Sequence, residues 1–288
     1  MAFLTAKGIA QTAIALLSRN LVLPMTATRV SGDEFAGSNG DTVTVRVPVP
    51  TTARTQASPG TTIDYDTLSE TPVDVQLAHL YHATKITDED MSLALEQFAE
   101  QVTLKQVKAV ATRAEDQLAG VMNTLVMDLS VATGGADVEA IVLQARELLG
   151  ENDVPSGDRW LAVSPQFATY LLSISKFTAV NESGNSSALR DAMLGRLYGF
   201  NIVESNGLTA GTAVAYHSSG FAFANRSPVV PRGAADSATA VESSIGLRQI
   251  FQYDPDSLSD ASVVSTFAGA ALVDADRVVK ITTGGASS

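Results

Sequence analysis

The sequence predicts an α+β fold, and three observations predict it. A long strand-patterned arm runs from Asp41 to Lys85, one unusually long amphipathic helix follows from Thr87 to Leu129, and the chain turns β-rich from Ser244 onward. The arm alternates through Val43, Val45, Val47 and Val49 but has too little apolar bulk for a core of its own. A two-stranded hairpin is marginal alone in water. The rest of the chain offers it no obvious cover, so the expectation is that copies of the chain cover one another.

Met1 to Leu23 reads as a short amphipathic helix with Ile9, Ala13, Leu16 and Leu17 on one face. Polar interruptions and the lack of a small-residue cleavage site argue against a signal peptide. Asn39-Gly40-Asp41 is a turn signal, after which Thr42 to Val49 has the period of a strand. Pro48 and Pro50 place its end at a sheet edge or outside a sheet. Thr51 to Gly60 is a tip, and Thr71 to Ile86 alternates again as the return leg of an extended finger.

Thr87-Asp88-Glu89-Asp90 opens the long helix: Thr87 caps free amides and the carboxylates favour the positive end of the helix dipole. Apolar residues follow at three- and four-residue steps to Leu125, enough for about 60 Å of helix at 1.5 Å per residue. Further helices are expected at Val138 to Gly150, at Pro165 to Ile174 and at Leu189 to Leu197. Strands are expected at Arg159–Val163, Gly199–Glu204, Ala213–Tyr216, Phe221–Ala224, Ile245–Tyr253, Val263–Phe267 and Arg277–Ile281.

At 288 residues the chain has ample size for a real core. Only 17% of residues are charged, a composition that suits extensive protein–protein burial. With a net charge of −12, and 19 Lys plus Arg against 31 acids, there is no global attraction to nucleic acid or to an anionic membrane. Without cysteine there are no disulfides and no thiolate chemistry. No run of 18 apolar residues exists, so no transmembrane helix is expected.

The order of these elements resembles the major capsid proteins of tailed bacteriophages, with the Hong Kong 97-type fold, and most nearly the coat proteins of short-tailed phages. The resemblance rests on Asn20-Leu21-Val22-Leu23, Asp33-Glu34-Phe35, Gly40 to Arg46, Ile86 to Asp90, Trp160 to Pro165 and Gly195 to Ser205, in that order and spacing. It implies an N-terminal arm (1–40), an extended β loop (41–85), a peripheral domain with the long spine helix (86–136), an axial domain (137–243), and peripheral strands with a C-terminal tail (244–288). It implies a chain that self-assembles, as pentamers and hexamers, into the icosahedral head shell around double-stranded DNA. The shell would form in the host cytoplasm and end in the virion, without cofactor, membrane or enzymatic activity. A separate scaffolding protein and a portal are expected partners, and packaged DNA is expected to be contacted weakly over an acidic inner face. Two features depart from the family: no Lys lies between Asp41 and Thr84, which removes the type member's Lys–Asn cross-link, and the axial region has no long insertion.

No catalytic constellation emerges. His79 and His82 fall on opposite sides of a strand, Ser164 lacks a nucleophile elbow, and no phosphate loop follows Gly134-Gly135. Asp254, Asp256, Asp260, Asp274 and Asp276 read as turn residues, and the first of these runs lacks the glycine and closing Glu of an EF-hand. The candidates for function are intersubunit contacts: Arg46 and Arg54 in the arm, paired with acids of a neighbour such as Asp88, Glu89 and Asp90. Two other readings compete. An encapsulin-type compartment would share the fold and hold protein cargo, whereas a β-rich binding module would stay monomeric.

Overall fold

The computed structural model describes residues 13, 21–30, 42–89 apart from single positions between 50 and 68, 102–174, 195–233, 236–242 and 245–284. Most of the expected N-terminal helix (Ala13, helical, and 21–23, where Leu23 opens a 3-10 turn, are the exceptions), residues 90–101 of the long helix and the segment 175–194 lie outside these residues.

In chain order the strands and helices are β1 (Thr28–Val30), β2 (Thr42–Pro48), β3 (Glu70–Gln76), β4 (Ala78–Thr87), α1 (Leu104–Thr124), β5 (Leu129–Val131), α2 (Val138–Glu151), β6 (Arg159–Val163), α3 (Pro165–Leu172), β7 (Arg196–Leu197), β8 (Phe200–Glu204), β9 (Thr212–His217), β10 (Phe221–Arg226), β11 (Asp236–Glu242), β12 (Ile245–Asp254), β13 (Ser259–Leu272) and β14 (Val278–Thr283). Among the described residues they form two six-stranded sheets and the two-stranded finger β2–β3.

The first sheet runs β1-β10-β13-β12-β11, with β4 along the opposite edge of β13. On the edge away from β4, the long strand β13 pairs β12 up to Ser265 and β10 from Phe267. The change of partner falls at Thr266, where buried side chains close the gap. Asn225 Nδ2 donates to Thr266 Oγ1 (2.9 Å), which donates to the Gly246 carbonyl (2.6 Å), while the Gly246 amide donates to Asn225 Oδ1 (2.5 Å). These three bonds give the side chains of Asn225 and Thr266 and both backbone groups of Gly246 partners where the ladder is interrupted, as burial demands.

Helix α1 buries Val107, Val110, Ala111, Ala114, Leu118 and Met122 against this sheet, joined by Phe221, Phe223, Leu247, Val264 and Ala268. The opposite face of β10 presents Ala222 and Ala224 to the base of the finger, in a cluster with Val30, Val43, Val75 and Leu77. Strand alternation therefore puts α1 and the finger on opposite faces of one sheet.

The second sheet runs β5-β14-β9-β6-β8-β7. Its core holds Leu161, Val163, Phe200, Ala213, Ala215 and Ile281 under α2 and α3. Helix α2 is placed by Val138, Val142, Ala145 and Leu149, a repeat of three- and four-residue steps. Helix α3 starts where the sequence says, with Pro165 in its first turn and Ser164 Oγ accepting from the Phe167 amide at 3.4 Å. Sheet membership does not follow a simple cut of the chain. Strands β10 and β11 lie in the first sheet, and β5 and β14 in the second.

Thr87 ends β4 and directly precedes the helical residues Asp88 and Glu89, the position expected of a cap. Three expectations are corrected. Helix α1 ends at Thr124 rather than Leu129, because Leu129–Val131 leaves as a strand parallel to β14. Arg196–Leu197, expected to end a helix, is the first leg of a tight hairpin whose turn residues Tyr198 and Gly199 both have positive φ. The return leg of the arm does not stay in the finger: β3 pairs β2, whereas β4 joins the first sheet beside β13.

Candidate assembly interface

The finger is a ladder in strict register, with Val43 opposite Val75, Val45 opposite Val73 and Val47 opposite Thr71. These pairs form one apolar face. The other face carries polar pairs, Thr44 Oγ1 donating to Asp74 Oδ1 at 2.7 Å and Arg46 Nη1 lying 3.4 Å from Glu70 Oε2. Cover over the apolar face fades along its length. Val43 and Val75 at the base are 1% and 0% exposed, Val45 and Val73 are half-buried, and Val49 is exposed. At the tip Ile63 is 54% and Tyr65 87% exposed. The base is thus covered by its own chain, contrary to the expectation that nothing here could cover it, and the distal half is not.

The crossing from finger to sheet happens over Gly269. A Cβ there would lie 2.0 Å from the Gln76 carbonyl oxygen, so only glycine lets the chain pass. Below it, β4 is fastened to the β12–β13 turn. Lys85 Nζ donates to Asp254 Oδ2 (2.9 Å) and Ser257 Oγ (3.2 Å), and Ser257 Oγ donates to Asp254 Oδ2 (2.6 Å). The hydrogen bond from Lys85 holds the Asp254 carboxyl down at about 2. Lys85 is the first lysine after the arm begins, and its amine is engaged within its own chain.

Of the sequence-predicted contact residues, Arg46 is held within the finger by Glu70, both side chains being mostly exposed. Arg54 also has an interaction within the chain. Asp88 accepts from the Tyr253 hydroxyl at 3.0 Å, a bond that raises the tyrosine's pKa, while the Asp88 amide donates to the Leu258 carbonyl at 3.1 Å. Glu89 is exposed, and Asp90 lies outside the described residues. Arg46 and the acids at 88–89 are not brought together within one chain.

Sequence reading missed how the end of α1 is held. Lys280, on β14, donates to the carbonyls of Asn123 (2.7 Å) and Leu125 (2.9 Å). A cation thus satisfies the free carbonyls at the negative end of the helix dipole. Asn123 also grips the 205–209 loop, giving Nδ2 to the Gly207 carbonyl and accepting from the Thr209 amide, both at 3.0 Å. Ser205 Oγ donates to Glu115 at 2.5 Å, and a Cβ at Gly207 would meet the Ala119 methyl at 2.8 Å. The helix therefore contacts both sheets, packing on the first and hydrogen-bonding to β14 and the 205–209 loop of the second. No motif announces these contacts, since 155 residues separate Lys280 from Leu125.

The other candidates for chemistry have structural duties. His79 stacks on Phe267 with ring centroids 4.7 Å apart, and burial followed by Arg248 lowers its pKa. His217 Nδ1 lies 2.8 Å from Ser219 Oγ, and its pKa is lowered chiefly by burial. Ser164 is a helix cap. Among the described residues no group of His, Asp and Glu could hold a metal ion, and no helix is long and apolar enough to cross a membrane.

Residues 70–281 match the phage capsid protein family. No curated protein matches the chain. Among solved structures, that of Mycobacterium phage Che8 superposes with a TM-score of 0.69 at 24% identity, over 91% of this chain and 90% of that one. The capsid of cyanophage P-SCSP1u gives 0.64 at 14% identity over 91% and 87%. The virus-like particle from Pyrococcus furiosus gives 0.59 at 10% identity over 95% and 97%. At these identities the likeness is one of fold, the Hong Kong 97-like capsid fold.

Proposed function

We propose a shell-building role for this chain, which belongs to the phage capsid protein family. It is the major capsid protein of a tailed phage, and copies of it close into the icosahedral head around double-stranded DNA. The observation that carries this reading is the finger, whose apolar face is covered at its base and bare toward its tip. Covering an exposed aliphatic side chain fully is worth about 1.5–3 kcal/mol. One finger on one neighbour is therefore a weak contact, and closure of the shell multiplies it.

In this reading the finger is the extended loop. The first sheet with α1 is the peripheral domain, and the second sheet with α2 and α3 is the axial domain around the five- and six-fold centres. In this reading β10 and β11, which lie in the first sheet, belong to the peripheral domain and β5 and β14, in the second, to the axial one. The grip on the neighbour is noncovalent for want of a lysine in the arm. Arg46, Arg54, Asp88, Glu89 and Asp90 are proposed to meet across subunits. Enzymatic activity, cofactors and a membrane have no part in the reading, whereas a scaffolding protein and a portal do. Assembly takes place in the host cytoplasm.

Negative-stain images of the purified protein test this directly, with closed shells expected. Deleting Thr51 to Thr62 leaves the subunit folded and abolishes shells, and intact particles from that deletion would refute the role of the finger. A compartment for protein cargo, which would share this fold, is the alternative reading. Nuclease-protected DNA inside the particles decides for the phage head, and protein cargo for the compartment.

A further inference from the structure

The exposed face of α1 carries an unexpected charge. From Leu104 to Arg113 the residues turned to solvent are Leu104, Lys105, Lys108, Ala109, Thr112 and Arg113. Three are cations and none is an acid, in a chain whose net charge is −12. Lys105 and Lys108 have no hydrogen-bond or ion-pair partner among the described residues. Arg113 has only Asp116, one helical turn on at 3.6 Å, with its own side chain 68% exposed. The unpaired amines stand one turn apart on one face, as i and i+3, and Thr112 beside them returns its hydroxyl to the Lys108 carbonyl at 3.0 Å.

Position in the fold gives this face a direction. Helix α1 covers one face of the first sheet and the base of the finger the other, so the cations point away from the side on which the finger lies. In a wall one subunit thick, a finger reaching over neighbours on one surface leaves α1 facing the other. A lysine-bearing face on which the acid Asp116 is paired with Arg113 complements a polyanion, and resting on the reading of the chain as a DNA-enclosing shell, that polyanion is the packaged genome. We propose that the solvent face of α1 lines the inside of the shell and touches DNA phosphates through Lys105, Lys108 and Arg113. It adds a cationic stripe to the acidic inner face expected from the sequence. Two unpaired amines and one shared guanidinium per subunit make a contact that is weak, salt-sensitive and blind to sequence. DNA is held off by the rest of the acidic surface and touched along one stripe.

Acetylation of lysines, read by mass spectrometry, tests this on DNA-filled particles, on particles emptied of DNA and on unassembled subunits. The expected result is several-fold less labelling of Lys105 and Lys108 in filled particles than in emptied ones, with Lys85 equal in both. Raising the salt concentration in filled particles is expected to narrow the gap. Equal labelling in filled and emptied particles overturns the proposal. So does protection in both that is lost in free subunits, which would mean that a second copy covers the face. If no particles form, the shell reading fails first, and that outcome is distinct from either.

Discussion

The C-terminus of α1 and the finger are built on opposite terms. Around the C-terminus of α1, hydrogen bonds from Lys280, Asn123 and Ser205 and the close approach of Gly207 tie the helix to the second sheet and the 205–209 loop. Along the finger, the register is equally regular, but cover falls from buried Val43 and Val75 through half-buried Val45, Val73 and Val47 to exposed Val49. The difference teaches where each kind of stability resides. The helix–loop junction stabilises the subunit, and the distal finger has stabilising contacts to offer only to another molecule.

The largest effect is expected where finger meets sheet. Gly269→Ala forces a methyl into the Gln76 carbonyl and is expected to cost the subunit about 3 kcal/mol. Thermal or urea unfolding of the unassembled subunit measures it, and an unchanged midpoint would mean that the crossing is not fixed by this contact. Next comes Lys280→Met, which keeps the stem and removes the helix cap, at about 1–2 kcal/mol. By contrast, Val49→Ser with Ile63→Ser is expected to change subunit stability by less than about 0.5 kcal/mol, as for exposed positions generally. The yield of shells should nevertheless fall. A subunit destabilised as much by these changes as by loss of Lys280 would erase the contrast between the two regions.

A smaller effect depends on pH. Lys85 lowers the folded-state pKa of Asp254 to about 2, below its ordinary value of 3.8. A depressed carboxyl pKa contributes stability that is present above the ordinary value and lost as pH falls through the folded one. Between about pH 4 and 2 the subunit should lose stability through this group, modestly because the pair is exposed. Asp254→Asn should flatten that part of the pH profile. The smallest effect is at Arg46, where Arg46→Ala removes an exposed pair within the finger and should leave subunit unfolding nearly unchanged. Charge reversal at the same position is expected to lower the yield of shells if the side chain also meets a neighbour.

Much of the fold could be read from short-range pattern. Helices α2 and α3 announce themselves by apolar spacing and by Ser164-Pro165, and β12 by the alternation of Ile245, Leu247 and Gln249. The errors share a physical cause, which is contact between residues far apart in sequence. Val126, Met127 and Leu129 continue the apolar run of α1, and nothing local says that Lys280 will close the helix at Thr124 or that β14 will take Leu129. The arm reads as one finger because its alternation persists past Gln76, while the split at Leu77 is set by Gly269. Strand β11, with Ser237, Ala238 and Ala240, carries too weak a β signal to be seen without its partner β12. At the candidate interface, the finger was legible, but the pairing of Arg46 with Glu70 needed the register, and the unpaired amines of Lys105 and Lys108 needed the tertiary structure around them.

Amide hydrogen exchange compared between unassembled subunits and assembled shells tests the central claim most directly. Predicted is fast exchange of outward-facing amides at 45–49 and 69–73 in the subunit and strong protection in the shell, with α1 from Val107 to Met122 and β14 protected alike in both. Exchange in the finger that is the same before and after assembly would contradict the account.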